Sequence, residues 1–532
     1  MLHALSLRFV VLFSLSLVAA GPVGPAEAQA TARAPGVDPD SALAATLASI
    51  AGSPLTLADA LRLAEDNATA LREARAALEG ARAALRRERG AFDPTLFARG
   101  ELSGEDIPTA SFFSGADVLE TEETSLEGGA RLRLPLGTEL EASLNATRLR
   151  TNSAFASLDP EVDTHGEISL RQPLLAGFGP AARGGLTAAQ RALAAAEARE
   201  RDARLALEAE VAAAYWDVHA AERDLAVRIL LGEQARALLA DAQVRARAGL
   251  VGPNQVANAR VFLAEQEIGA LDAEERLDRS SDALASLIGE RPAGGPARFR
   301  PVDTPAVDYP TPEVEEVVEQ AIAGNHEIQA RRALLDQVRG LAGAARWNAL
   351  PTLDLVGALG GNGLSGTGRD VVFGADTLRT SIDGGFADSW SQVRDRRYPS
   401  WSVGLELTFP IGLRQGRGER DRLQSEVARA QEQVTAGERL LEERVRAAHR
   451  ELVHGARRLA ATREGVAASQ EQVRIGMIQY RNGQTTAFEL VRLGADLAAA
   501  EQRHSQALVG TAKAAALLRY LTSGAYPAAR HQ

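Results

Sequence analysis

The sequence predicts an exported α+β chain in which short alternating strands adjoin very long helices, the whole unit occurring twice. Three observations carry this. The first 30 residues read as a secretory signal, and long stretches lack proline. In addition, landmarks between 207 and 287 recur between 441 and 521, always 234 positions on.

The 532 residues include 59 basic and 70 acidic side chains, giving a formal net charge of −11, and no cysteine. Disulfides, thiolate zinc sites and thiol nucleophiles are therefore excluded. An acidic chain without basic runs lacks the clustered Lys/Arg that neutralises phosphates, so no nucleic-acid partner is expected. Aromatics are only 5%, while alanine, leucine, arginine and glutamate dominate, which favours long helices over an aromatic core.

In the signal (1–30), Arg8 supplies the positive start, Phe9–Ala20 is an apolar run of 12 residues, and Ala26-Glu-Ala-Gln-Ala30 offers cleavage after Ala30. A helix of that length reaches about 18 Å, too short for a bilayer. No run of 18 apolar residues follows, so a membrane passage would have to be a β-barrel. Residues 31–52 form an N-terminal linker.

Each half opens with an amphipathic helix, Leu57–Arg89 and Glu313–Arg346, containing Asn67 or Asn325 and running into a Pro-Thr-Leu triplet at 94–96 or 351–353. Strand segments follow at 94–173 and 351–411. Leu140, Ala142, Leu144 and Ala146 alternate with polar residues, as do Ile168 and Leu170, and Trp401, Val403, Leu405, Leu407 and Phe409. Period two gives one face apolar surroundings and the other water. A soluble sandwich and a membrane barrel both satisfy that rule, although charges among the polar partners suit a water-filled lumen. Phe97, Trp390, Tyr398 and Trp401 are candidates for interfacial girdles or for ordinary packing.

Long helical hairpins complete each half, over 182–290 and 416–522. No proline interrupts 181–252 or 411–526. A helix over Leu186–Ala248 would reach roughly 95 Å. Its seam of Leu205, Leu207, Val211, Ala214, Tyr215, Val218 and Ala221 needs partner helices. A Pro/Gly-rich linker, 291–312, separates the halves, and a tail, 525–532, ends the chain.

Two pieces are specific enough to suggest a family. One is the strand-to-helix passage Ser169-Leu-Arg-Gln-Pro-Leu-Leu175, mirrored by Leu405-Glu-Leu-Thr-Phe-Pro-Ile411, with Pro173 and Pro410 at the change of structure. The other is the tight turn between long helices, Arg247-Ala-Gly-Leu-Val251 and Tyr480-Arg-Asn-Gly-Gln484. With this order of elements, residues 53–524 resemble the TolC family of outer-membrane efflux channels, as two TolC-like repeats (53–290 and 313–524). The resemblance implies a homotrimer in which each protomer gives about four strands to one transmembrane β-barrel. It also implies that the helices continue as a periplasmic coiled-coil barrel, so that the chain sits in the outer membrane and contacts its lipid.

The halves differ in one respect. Pro94 to Pro173 spans 79 positions, but Pro351 to Pro410 only 59. The surplus corresponds to a hairpin around Arg131–Arg150, turning at Pro135-Leu-Gly137, which either extends the barrel or decorates a loop.

Gly249 and Gly483 fit helix C-caps, and Pro253 fits the first turn of the following helix. The resemblance implies that these turns form the periplasmic tip, meet an adaptor protein and close the tunnel. Position by position, Tyr480 falls on the tyrosine that holds the family's helices inward, and Glu489 on its first acidic gating position. Arg492 stands on the second acidic position, Thr485 on the arginine, and Gln255 on the first-half acid, so the acidic ring is at most half retained. Glu489 and Arg492, three apart, can pair on a helix, either as a latch or as a solvated surface pair.

Nothing points to an enzyme, cofactor or metal. Gly361-Asn-Gly-Leu-Ser-Gly366 matches a dinucleotide fingerprint in letters only, lacks a following helix signal, and reads as a flexible extracellular loop. His449 and His454 are five apart, off the i,i+4 spacing of a helical metal pair. The resemblance therefore implies a passive exit duct of a tripartite efflux or type I secretion system, fed by an inner-membrane pump through a periplasmic adaptor. The alternative is a periplasmic coiled-coil adaptor or scaffold without a pore.

Overall fold

A computed structural model describes residues 39–292, 298–374 and 376–527. The expected signal (1–30) and the end of the tail lie outside them. The first half contains α1 (Pro39–Ser49), β1 (Ser53–Leu55), α2 (Leu57–Asn67), α3 (Thr69–Gly90), β2 (Thr95–Pro108), β3 (Val118–Arg133), β4 (Glu139–Thr151), β5 (Leu158–Pro173), α4 (Gly184–Arg247) and α5 (Pro253–Ile288). After β6 (Phe299–Pro301) come α6 (Val314–Gly324), α7 (His326–Asn348), β7 (Thr352–Gly368), β8 (Val371–Phe373) and β9 (Asp376–Leu378). The chain continues with α8 (Phe386–Arg394), β10 (Tyr398–Thr408), α9 (Arg414–Arg481) and α10 (Ala487–Leu521).

The opening helix of each half is broken once, at matching places. Ala68 (φ −61°, ψ 128°) separates α2 from α3, and Asn325 (φ −61°, ψ 127°) separates α6 from α7. Asn325 supplies its own reason, since Oδ1 accepts from Ile328 N at 3.1 Å as an N-cap. Its Nδ2 meanwhile donates to Leu521 O at 3.0 Å, tying the break to the end of α10.

The long hairpins appear as expected, α4 with 64 residues and α9 with 68. Leu207, Val211, Tyr215, Val218 and Ala221 are buried along α4, and Leu205 and Ala214 half-buried. The two linkers are more structured than expected. In the second, β6 pairs in parallel with β1 at the start of the first repeat, and in the first, α1 packs Leu43 and Leu47 against the same core as Ile50. The Tyr215 hydroxyl gathers this junction. It lies 2.9 Å from Leu55 O and 3.0 Å from Asp303 Oδ2, and accepts from Val302 N and Asp303 N. Tyr526, placed in the tail by sequence, is buried against Val317, Leu441 and Leu518.

The strands form one antiparallel sheet in the order β10-β7-β5-β4-β3-β2. It has six strands where about four were expected, four from the first half and two from the second. The surplus hairpin is β3–β4, hydrogen-bonded into the sheet from Glu139↔Arg171 at its base to Thr121↔Thr151 above. It is part of the sheet rather than a loop. Its Leu134–Thr138 turn is fastened at the base, where Gly179 N donates to Leu136 O at 3.0 Å.

The registers place apolar residues on one face of every strand. Leu96 (β2), Ala130 (β3), Ala142 (β4), Ile168 (β5), Leu359 (β7) and Trp401 (β10) form one continuous row, with Leu140, Leu170, Leu405 and Leu407 in parallel rows below. The opposite face is polar and charged. There Arg131 pairs with Glu141 at 2.9 Å, while Arg171 Nε donates to Asp354 at 2.9 Å and its NH2 lies 3.2 Å from Glu406. Of the four girdle candidates, Trp401 lies on the apolar face. Phe97 and Tyr398 fall on the polar face, Phe97 under the Arg131 guanidinium. The Gly361–Gly366 segment is not a loop: it is the upper part of β7.

Midway along α4, Glu222 and His219 are buried. Burial pushes the Glu222 carboxyl up to about 7 against the pull of Arg300 and Arg223, and pushes His219 down to about 4. Between its ordinary 4.5 and about 7, Glu222 holds its proton only in the folded chain. Its contribution to stability is therefore complete in acid and lost as pH rises through 7. Glu222→Gln is expected to stabilise the protein by about 2 kcal/mol at pH 8 and by much less at pH 5. Thermal unfolding in detergent at the two pH values checks this, and an equal gain at both would contradict it.

Candidate functional site: the helical tip and the strand-to-helix passages

The two helical turns are built alike. Gly249 (φ 69°) and Gly483 (φ 70°) both adopt the left-handed conformation that glycine takes without steric cost. Leu250 N donates to Arg245 O at 2.9 Å, and Gln484 N to Gln479 O at 2.8 Å, the six-to-one bond of a Schellman C-cap. Pro253 opens α5 at the helix start, as expected. Thr486 caps α10, its hydroxyl accepting from Glu489 N at 3.3 Å. Gln255 and Thr485 are half-buried beside these caps. Large apolar side chains stand in solvent at both turns, Leu250 at 75% exposure and Phe488 at 60%.

Glu489 and Arg492 do meet, at 2.6 Å, as an i,i+3 pair open to solvent. Tyr480 is engaged differently. Its hydroxyl donates to Asp241 Oδ2 at 2.5 Å, joining α9 of the second hairpin to α4 of the first. Arg245 pairs with the same carboxylate at 2.9 Å and lays its guanidinium 4.5 Å from the centre of the Tyr480 ring. Burial, then the neighbouring Asp241 carboxylate, push the phenol up to about 12, so it remains a donor throughout the physiological range. Leu238, Phe262, Met477 and Leu490 line the cleft behind this cluster. Asp241 and Arg245 escaped the sequence reading; their i,i+4 spacing in the last turns of α4 was the one local signal.

At the other end, Pro173 is the last residue of β5, paired with Asp354, whereas β10 stops at Thr408, two residues before Pro410. Beyond Pro173, Leu174 N donates to Leu353 O at 2.7 Å, so the passage into α4 is fastened to the base of β7. Beyond Pro410, Gly412 (φ 91°) and Leu413 (φ 51°) turn the chain into α9. Among the described residues no cluster of His, Asp and Glu could hold a metal ion, and no helix is long and apolar enough to cross a membrane.

The family model described as "Outer membrane efflux protein" matches residues 139–290 and 317–524. No curated protein sequence matches the chain. Among solved structures, the outer-membrane channel OprN is similar at 18% identity with a TM-score of 0.63, over 88% of this chain and 90% of that one. The open state of the MtrE channel of Neisseria gonorrhoeae is similar at 19% identity and TM-score 0.59, over 88% and 89%. For the CmeC channel of Campylobacter jejuni the figures are 15% and 0.59, over 88% and 86%. These likenesses support the fold, and the family match favours a channel over a poreless adaptor. With a family model covering most of its length on a TolC-like fold, the chain belongs to the outer membrane efflux protein family, whose members are non-enzymatic transport proteins of the outer membrane with a helical periplasmic tunnel.

Proposed function

We propose that the protein is the exit duct of a tripartite efflux or type I secretion system, working as a homotrimer that performs no chemistry. The observation that carries this is the sheet: one apolar face continuous across six strands, a charged face behind it, and helices of 64 and 68 residues leaving its base. The apolar face meets lipid and the charged face lines a wet lumen. Three copies of a six-stranded sheet close a barrel of eighteen strands, a number that leaves an aqueous channel. The helices reach about 100 Å into the periplasm. There, the exposed Leu250 and Phe488 at the two turns offer an apolar foothold to an adaptor that recruits an inner-membrane pump.

Transport is passive, and the tip is the gate. The Tyr480–Asp241–Arg245 cluster ties the two hairpins of a protomer together, so opening separates α4 from α9 there. Adaptor contacts would favour the separated state. Glu489 and Arg492 form a second, weaker restraint, since exposed pairs contribute at most about 1 kcal/mol.

Two measurements test this reading. Purified protein in a planar bilayer should give small, stable conductance steps, and its detergent-solubilised mass should be that of a trimer; a peripheral protein that never conducts would overturn the assignment. Tyr480→Phe loses a hydrogen bond to a charged group worth about 2 kcal/mol, and is expected to raise the open fraction more than tenfold. Replacing Glu489 and Arg492 by alanine should raise it only a few-fold, and an unchanged current in both variants would remove the gate from the tip.

A further inference from the structure

The connection between β7 and β10 does not project freely. Its helix α8 folds back onto the sheet, and the strands below are carved to receive it. A Cβ at Gly363 would stand 2.0 Å from Ser389 O, and one at Gly166 would stand 2.8 Å from Val393 Cγ1. The Thr164 and Ser389 hydroxyls meet at 2.6 Å with neither exposed. Gln392 completes the seat. Its Nε2 donates to Leu364 O at 2.9 Å and its Oε1 accepts from Leu364 N at 3.1 Å, occupying backbone groups of β7 above the point where β10 begins to pair.

Register decides which face this is. Gly363 and Gly361 share the face of Leu359, and Thr164 and Gly166 that of Ile168, so α8 lies on the apolar side. Height decides the level. Gly361 and Gly363 are the tenth and twelfth residues of β7, and a strand leaves the hydrocarbon after about 9–11 residues. The helix therefore sits where the barrel wall emerges into headgroups. Trp390 lines one cleft with Leu144, Ile168 and Leu359, while Phe386 is half exposed. The turn after it reads Arg394-Asp-Arg-Arg397. Arg394 is paired with Asp395 at 3.1 Å, and among the described residues neither Arg396 nor Arg397 has an acidic partner.

We propose that α8 and the Arg394–Arg397 turn form a lipid site on the outer wall of the barrel, taking an anionic, phosphate-bearing lipid of the outer leaflet. Its phosphate meets Arg396 and Arg397, and its acyl chains run down the cleft between Trp390 and the apolar face. Charge complementarity and continuity with the apolar band identify the occupant. A second copy of the chain is not the occupant, because the cleft overlies β3, β4, β5 and β7. Neighbouring copies would join at the edge strands β2 and β10. The inference rests on the lipid-facing reading of the apolar face, and its test separates the two.

Full-length protein is reconstituted in phosphatidylcholine vesicles carrying a minor fraction of brominated phosphatidylglycerol or brominated phosphatidylcholine, and tryptophan quenching is compared. The Trp390 signal, obtained by difference from Trp390→Phe, is expected to be quenched preferentially by the anionic lipid. Arg396→Gln with Arg397→Gln should lower that preference by at least about fivefold. Inorganic phosphate should not compete; if it abolished the preference, the site would be a simple anion site and the lipid assignment would fall. No preference in the native protein, or an unchanged preference in the double variant, would also overturn it. The Trp401 signal, read by difference from Trp401→Phe, is the control. Its quenching by brominated phosphatidylcholine with Trp390 silent sinks the lipid site alone, whereas a silent Trp401 sinks the lipid-facing reading itself.

Discussion

An apolar sheet with two unpaired edges cannot stand alone in a membrane, and the rest of this architecture follows from that constraint. Inside hydrocarbon every backbone N–H and C=O needs a partner, so a sheet must close on itself. Six strands are below the smallest barrels known to do so, which have about eight. In the proposed trimer the edge strands β2 and β10 find their partners in neighbouring copies. Because α3 and α7 enter, and α4 and α9 leave, at the base of this sheet, whatever closes the strands into a ring also arranges the helices into one.

Much of this was legible in the sequence, wherever a pattern repeats within a few residues. Alternation at 139–147 and 401–409 gave the strands and their faces, and proline-free apolar seams gave the hairpins. What failed depended on distant residues. The Gly361–Gly366 stretch has no alternation to read, because the side chains at 361 and 363 were surrendered to make room for α8, which arrives more than 20 positions later, and the one at 366 to the approach of Pro160 O. The fate of the β3–β4 hairpin needed its pairing register with β5. Residues 39–49 looked like a linker because they lack an apolar face regular enough to announce a helix, yet Leu43 and Leu47 pack on the core.

The tip shows the same division in finer detail. Its caps are local, so Gly249, Pro253 and Gly483 could be placed from their own neighbourhoods. Tyr480 could be placed but not partnered, since Asp241 lies in the other half of the chain. The structure also ranks the candidate restraints. Tyr480 is half-buried, shares its acceptor with Arg245 and carries that guanidinium on its ring, whereas Glu489 and Arg492 stand in solvent, where attraction is screened and side-chain entropy opposes it. A hydrogen bond to a carboxylate in a half-buried cleft outweighs such a pair severalfold.

The unequal halves, four strands against two, bear on how the barrel meets the tunnel. At every level each protomer presents four helices: α3, α4, α7 and α9 near the sheet, then the lower parts of α4 and α9 with α5 and α10. In the proposed trimer, twelve helices spaced roughly 9–10 Å apart make a ring roughly 110–120 Å around. Strands roughly 4.8 Å apart and tilted by about 40° take up roughly 6 Å of circumference each. Eighteen of them come to roughly 110 Å, whereas twelve would come to roughly 75 Å. On this reckoning the β3–β4 hairpin is no ornament on the first half: it brings the wall of the barrel to the girth of the helices beneath it, so that the duct runs through the junction without a step.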